Sequence, residues 1–237
     1  QAFRLRSGIG WGCSLLLSEE DLGSCPDVMA LEWSSSGRGD FRESPMALAG
    51  HSAEPKYLRH ALLEGIAPME TGLPQAQGAE QTLCVTLSQP GMEIDLYYTP
   101  FPTALTRRAV VRNTGKDSIT LSKLMSFSMD LPGQYHMTTF DGGWIREMGK
   151  HTVPVSMSRV VNEATTGCSS NRHNPGFLLS EPEAGEDQGI VYGFNLVYSG
   201  NHYASAQQSL QGLTRVMQGI SPDHFAWEIV PGGSFET

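Results

Sequence analysis

The chain has 237 residues, a length that suits one large all-β domain or two small ones, and its 39 % apolar content is enough to bury a core without staples. A formal charge of −9 argues against a nucleic-acid surface, which needs a basic patch, and disfavours an anionic membrane face; no apolar run is long enough to cross a bilayer as a helix. The opening "QAFRLRSGIGWGCSLLL" lacks the apolar stretch of a signal peptide, so a cytoplasmic protein is expected.

In chain order, "GIGWGC" (residues 8–13) has the glycines of a nucleotide fingerprint but no βαβ unit after it. The four cysteines (Cys13, Cys25, Cys84, Cys168) form no C-x-x-C pair. Buried reduced thiols are expected, with a Cys13–Cys25 disulfide as the alternative. "EWSSSGRGDFRE" (residues 32–43) reads as an exposed loop that would bring Trp33, Arg38, Asp40 and Arg42 together. An indole stacks on the C–H face of a sugar, and Asp and Arg bond its hydroxyls. The plainer account makes Trp33 and Phe41 core residues and Asp40–Arg42 a local ion pair. The tripeptide at residues 38–40 is by itself a chance match to an adhesion motif.

Strands are expected at residues 57–66, 83–87 and 94–99, each bounded by turn-forming residues. "LTRRAVVRN" is another, and "NTGKD" after it reads as a hairpin turn, with Gly115 suited to positive φ. Residues 117–131 put Ile119, Leu121, Met125, Phe127, Met129 and Leu131 on one parity and Ser, Thr and Asp on the other, the pattern of a half-buried strand. Further strands are expected at residues 135–140, 177–179, 215–218 and 225–230. "GIVYGFNLVYSGN" (residues 189–201) alternates large apolar residues with Gly193 and Asn195 and reads as a core strand. After "VPGGS", "SFET" opens one more strand, and the chain is expected to be a piece excised from a longer one. Many strands joined by turns, without interleaved helices, predict an all-β sandwich of mostly antiparallel strands.

Two more polar stretches are candidates for ligand contact. "FDGGWIRE" joins paired glycines to Trp144, and "SSNRHNPGF" offers Arg172, His173 and Asn174 from what reads as a loop shaped by Pro175 and Gly176. Each has a plain alternative as a turn with a packed ring. Asp40, Glu43, Asp141 and Glu147 are carboxylates that could act on a glycosidic bond, but nothing in the sequence pairs them. There is no G-x-S-x-G elbow, P-loop or H-E-x-x-H, and the seven histidines lack metal-ligand spacing, so neither metal nor cofactor is expected.

Taken in order, "GRGDFRESPMAL", "YLRHALLEG", "TLCVTLSQPGMEIDLYYTPFP", "RRAVVRNTG", "TTFDGGWIRE", "RHNPGF", "GIVYGFNLVYSGNHYA" and "QGISPDHFAWEIVPGGSFET" resemble the N-terminal domain of family-36 glycoside hydrolases, the α-galactosidases, over residues 32–237. The resemblance implies a single β-supersandwich domain, residues 1–237, ahead of a (β/α)8 barrel that carries both catalytic Asp residues. It implies a retaining reaction on terminal α-galactosyl groups of melibiose- or raffinose-type sugars, with no catalytic residue in this segment. It also implies tetramers in which loops of this domain narrow the pocket. Trp33, Asp40, Arg42, Trp144, Arg172, His173 and Asn174 are the substrate-proximal candidates. At Asn171–Arg172 the sequence departs from the His-Gln pair common in the family. A free-standing carbohydrate-binding module using Trp33 or Trp144, and a sandwich epimerase with a His–Glu pair, are the alternatives.

Overall fold

The structure is a computed structural model that describes residues 3–4, 14–15, 42–50, 55–210 and 212–237. Trp33, Asp40, Cys13, Cys25 and the tripeptide at 38–40 lie outside the described residues. The described residues form seventeen strands and no helix. In chain order they are β1 (Phe3–Arg4), β2 (Ser14–Leu15), β3 (Met46–Leu48), β4 (Lys56–Glu64), β5 (Gln81–Gln89), β6 (Met92–Pro100), β7 (Leu105–Asn113), β8 (Ile119–Pro132), β9 (His136–Gly143), β10 (Arg146–Pro154), β11 (Val160–Ala164), β12 (His173–Ser180), β13 (Val191–Phe194), β14 (His202–Gln208), β15 (Leu213–Ile220), β16 (Trp227–Ile229) and β17 (Ser234–Glu236). They divide between two compact units, one of residues 42–127 and 225–237, the other of residues 3–4, 14–15 and 128–224.

The first unit is built on an antiparallel sheet of order β17–β7–β6–β5–β4. Alternation sets its buried layers. Val85, Leu96 and Ala109 are in register, as are Leu87, Ile94 and Val111, and all six are at most 3 % exposed. The opposite face is polar but closed by its own bonds. Thr82 Oγ1 lies 2.8 Å from Thr99 Oγ1, Thr86 Oγ1 donates to Asp95 at 2.6 Å, and Arg112 pairs with Asp95. Burial pushes the Cys84 thiol on this face up, and the Asp95 charge adds to it. Glu236 on β17 pairs with Arg108 and accepts from the backbone N–H groups of Glu70 and Thr71, which ties the segment after β4 to the last strand.

The expected hairpin at residues 113–117 does not form. β7 pairs with β6 and β17, whereas the first half of β8 pairs with β3 and β16, so "NTGKD" carries the chain from one sheet to another. Gly115 is required there for closeness rather than for positive φ: a Cβ would lie 3.2 Å from the Cα of Gly91. Asn113 holds the crossing, donating Nδ2 to the carbonyls of Asp117 and Ile229, both at 2.8 Å.

The second unit contains the sheet β10–β9–β12–β13 and the run β11–β14–β15, whose last member adjoins β8. Met137, Phe177 and Leu179 are at most 1 % exposed, and the Phe177 ring stacks on Phe194 with centroids 4.8 Å apart. Two sequence expectations need correction in and around this unit. β8 is not half-buried: Leu124, Ser126, Ser128 and Asp130, which lie on the parity expected to face solvent, are buried. A strand flanked on both edges and covered on both faces keeps polar side chains inside where they are paired, as Asp130 is with Arg215. The stretch at 189–201 is no core strand. Only Val191–Phe194 joins the ladder, along one edge of β12, and Ile190, Val197 and Tyr198 are exposed. The parity was right, since Tyr192, Phe194 and Leu196 are the more covered residues. An edge position explains the rest, because alternation reports which face turns inward and not how deep it lies.

β10, β11 and β14 have no counterpart among the expected strands. β10 is exposed along its whole length, and β14 reads "HYASAQQ", too short of large apolar side chains to alternate. Cys84 is half-buried and Cys168 exposed, both free, so the expectation of buried thiols fails at Cys168.

Candidate functional site

One corner of the second unit gathers polar chemistry on exposed aromatic ground. β9 ends in Asp141-Gly142-Gly143, the chain turns through Trp144 and Ile145, and β10 returns alongside. Ile145 (φ 69°) and Met148 (φ 59°) take left-handed backbone, and the β9–β10 register slips between Arg146 and Gly149. A bulge of this kind bends the strand and raises its local twist. At the tip Trp144 is 88 % exposed and Ile145 77 %, so the indole is presented rather than packed. The two glycines differ. A Cβ on Gly142 would fall 2.1 Å from the Arg146 carbonyl oxygen, whereas one on Gly143 would meet nothing within 4 Å.

The beginning of β12 lies beside the end of β9. His173 is opposite Asp141, and the Gly142 N–H donates to the Arg172 carbonyl at 3.3 Å. His173 Nδ1 is 3.0 Å from Asp141 Oδ1, while Thr139 Oγ1 donates to Asp141 Oδ2 at 3.2 Å. Asn171 Nδ2 donates to Glu147 Oε1 at 3.3 Å, which links the preceding turn to β10. Asn174 Oδ1 accepts from the Gly176 N–H at 2.8 Å, so the Asn side chain braces its own backbone where the β12–β9 register is irregular. The Asn-Pro-Gly stretch is therefore a bulged strand start and not the expected loop. A proline is accommodated there because the ladder is already interrupted.

Four of the seven sequence candidates thus fall on one corner: Trp144 on the hairpin, and Arg172, His173 and Asn174 at the start of β12. Asp141 and Glu147, which the sequence offered only as unpaired carboxylates, belong to the same corner as partners of His173 and Asn171. Arg42 does not present itself as expected. It belongs to the first unit and is 4 % exposed, buried where the sequence expected an exposed side chain. Trp33 and Asp40 lie outside the described residues. What sequence reasoning missed is the support behind the corner: Asn162 and Gln218, each 3 % exposed, donate to the backbone of Asn174 and Pro175. Nothing in their local patterns marks them.

Chemically, the corner offers an indole face, a carboxylate already oriented by two donors, an imidazole bonded to it, and an exposed guanidinium. These are the groups that stack on and hydrogen-bond a polyhydroxyl ligand. The pair here is His–Asp, not the His–Glu pair an epimerase reading requires. Among the described residues, no group of three or more His, Cys, Asp or Glu is placed to hold a metal ion.

Comparison with known proteins gives a consistent outcome. The profile of the glycosyl hydrolase family 36 N-terminal domain matches residues 12–230. The chain is similar to a probable α-galactosidase G of Aspergillus terreus, 36 % identical over 219 residues, which cover 87 % of this chain and 30 % of the relative. It is also 32 % identical over 224 residues to α-galactosidase AgaA of Geobacillus stearothermophilus, covering 89 % of this chain and 31 % of that one. Among solved structures, family 36 α-galactosidase AgaB of G. stearothermophilus superposes with a TM-score of 0.87 at 28 % identity, over 99 % of this chain and 37 % of AgaB. A variant of AgaA in complex with stachyose gives 0.83 at 31 % identity, over 94 % of this chain and 33 % of that one. The chain spans about a third of the length of the relatives it matches.

Proposed function

The chain belongs to glycosyl hydrolase family 36, matching its N-terminal domain, and from that premise we propose that it is the non-catalytic β-sandwich of a retaining α-galactosidase. In this reading the parent enzyme removes terminal α-galactosyl groups from melibiose- or raffinose-type sugars in the cytoplasm. The sandwich packs on the catalytic barrel, helps to assemble a tetramer and lends the Trp144–His173 corner to the pocket rim. The observation that carries it is the match over most of the chain to enzymes named α-galactosidases, of which it covers about a third.

The test reads the parent gene beyond Thr237, expresses the whole product and assays it with a chromogenic α-galactoside. A long reading frame and hydrolysis by the whole product, with no turnover by the 237-residue chain, support the reading. A stop codon at Thr237, or turnover by the purified 237-residue chain, sinks it. In the whole enzyme, Trp144→Ala and His173→Ala are expected to raise KM for raffinose and leave kcat nearly unchanged, as lost uniform binding does. One observation favours a second reading, a sugar-binding module: an indole 88 % exposed is a ready stacking platform. Saturable binding of galactose by the isolated chain, abolished in Trp144→Ala, would favour it.

A further inference from the structure

The corner is held from behind by a row of buried polar side chains. β11, β14 and β15 are in register, so that Asn162, Ala204 and Gln218 stand abreast, and Ala164, His202 and Ile220 stand abreast two residues further along. All six share one face. Asn162 Nδ2 donates to the Asn174 carbonyl at 2.8 Å, and Gln218 Nε2 donates to the Pro175 carbonyl at 2.5 Å. Those two carbonyls lie between His173 and Phe177, where the β12–β9 register slips. The backbone that presents His173 and Asn174 is therefore fixed by side chains of other strands.

His202 is the third polar member of the row. It is 0 % exposed, and among the described residues neither ring nitrogen has a hydrogen-bond partner. The charged residues of the flanking strands turn to the other face: Glu163 is opposite Tyr203, and Arg215 is opposite Gln207 and bonded to Asp130. The segment Gln218–Ile220 of β15 carries no ionisable side chain. His173 on β12, bonded to Asp141, lies close enough for its charge to act on His202.

We propose that Asn162 and Gln218 are positioning residues for the Trp144–His173 corner, and that protonation of His202 loosens the corner they hold. A neutral imidazole tolerates such an enclosure far better than an imidazolium, which brings a charge and a second donor to a place where no described residue accepts from the ring. Burial first, and then the charge on His173, hold the His202 pKa below its ordinary 6.5, so the ring is neutral at pH 7. On acidification the molecule relieves the cost by shifting toward a state in which β12 no longer covers the ring, and β12 starts with the corner residues. The word substrate attaches to this corner only through the family reading. The support and its response to protons do not depend on it.

The test is a pH titration by NMR of the full 237-residue chain, following the histidine ring signals and the backbone amides of residues 172–174, 176 and 177. In the wild type the amides should move in a step shared with the His202 ring, and His202→Phe should remove that step. Asn162→Leu and Gln218→Met, which keep shape and lose the donor, should each speed amide exchange at residues 172–174, 176 and 177 by about five- to tenfold, the scale of one lost hydrogen bond. Exchange along β5 and β6 should be unchanged. Corner amides unmoved in both donor variants overturn the positioning role. A step that survives His202→Phe overturns the proton switch, and the wild-type titration decides that point even if one variant fails to fold. Adding an α-galactoside to the same samples separates the two claims: no shift with sugar counts against the rim reading alone.

Discussion

Two carboxylate pairs in the second unit, one with a guanidinium across β8 and β15 and one with an imidazole across β9 and β12, differ in burial and in bond count. Asp130 and Arg215 meet through two parallel bonds of 2.9 Å, with the arginine side chain 1 % exposed and the aspartate 10 %. Asp141 and His173 meet through one bond of 3.0 Å, with the side chains 28 % and 53 % exposed. The first pair is desolvated and closed, so removing one partner takes the counter-charge from a buried group. The second is solvated and open, so it adds little to stability and keeps unused donors and acceptors for something else. Burial and bond count, rather than the presence of a salt bridge, separate a pair that holds the fold from one available for contact.

That contrast breaks most sharply at Asp130. Asp130→Ala should cost about 3–5 kcal/mol, read as a lower urea midpoint, because the buried Arg215 guanidinium loses two charge-assisted bonds and the charge that faced it. Replacing both partners by apolar residues of similar volume should cost much less. If the single substitution costs no more than the double, the seam is not a desolvated pair. A smaller effect attaches to His202. Its folded pKa is lowered, so below pH 6.5 the unfolded chain takes up a proton that the folded chain refuses. Stability should be fully present above that value and fall as the pH drops through and below it. His202→Phe should flatten this part of the profile, and an unaltered slope would remove His202 as its cause.

Smaller again is His173→Ala. Exposed ion pairs contribute about 0–1 kcal/mol, so the melting temperature should hardly move while any galactoside affinity of the corner falls. Trp144→Ala should change stability by no more than about 0.5 kcal/mol, since the indole is presented to solvent. A loss of several kcal/mol at Trp144 would mean the hairpin packs against something and is not a free rim.

The fold class was legible because alternation and turn residues report local geometry, and β4 to β9, β12, β15 and β16 were all anticipated in some part. Where sequence reading failed, the missing information was non-local. "NTGKD" has the residues of a hairpin, yet the partners of β7 and β8 are chosen by strands far away in the chain. Ser126, Ser128 and Asp130 look solvent-facing until Arg215, 85 residues further on, closes over the aspartate. β14 is invisible because Ala and Ser suffice where a strand is flanked and covered. The corner was half legible. Trp144, Arg172, His173 and Asn174 stand out as polar or aromatic residues beside turn formers. That they meet depends on the β9–β12 register, and their support by Asn162 and Gln218 depends on a second set of pairings that no local pattern announces.

The adjacent glycines of the hairpin have a consequence for anyone wishing to remodel the tip. Gly142 is locked, since any side chain would strike the Arg146 carbonyl, while its neighbour Gly143 opens onto free space. Randomised libraries should therefore leave position 142 untouched and spend their diversity at 143 and 144, where new side chains can be grafted toward other sugars with the scaffold undisturbed.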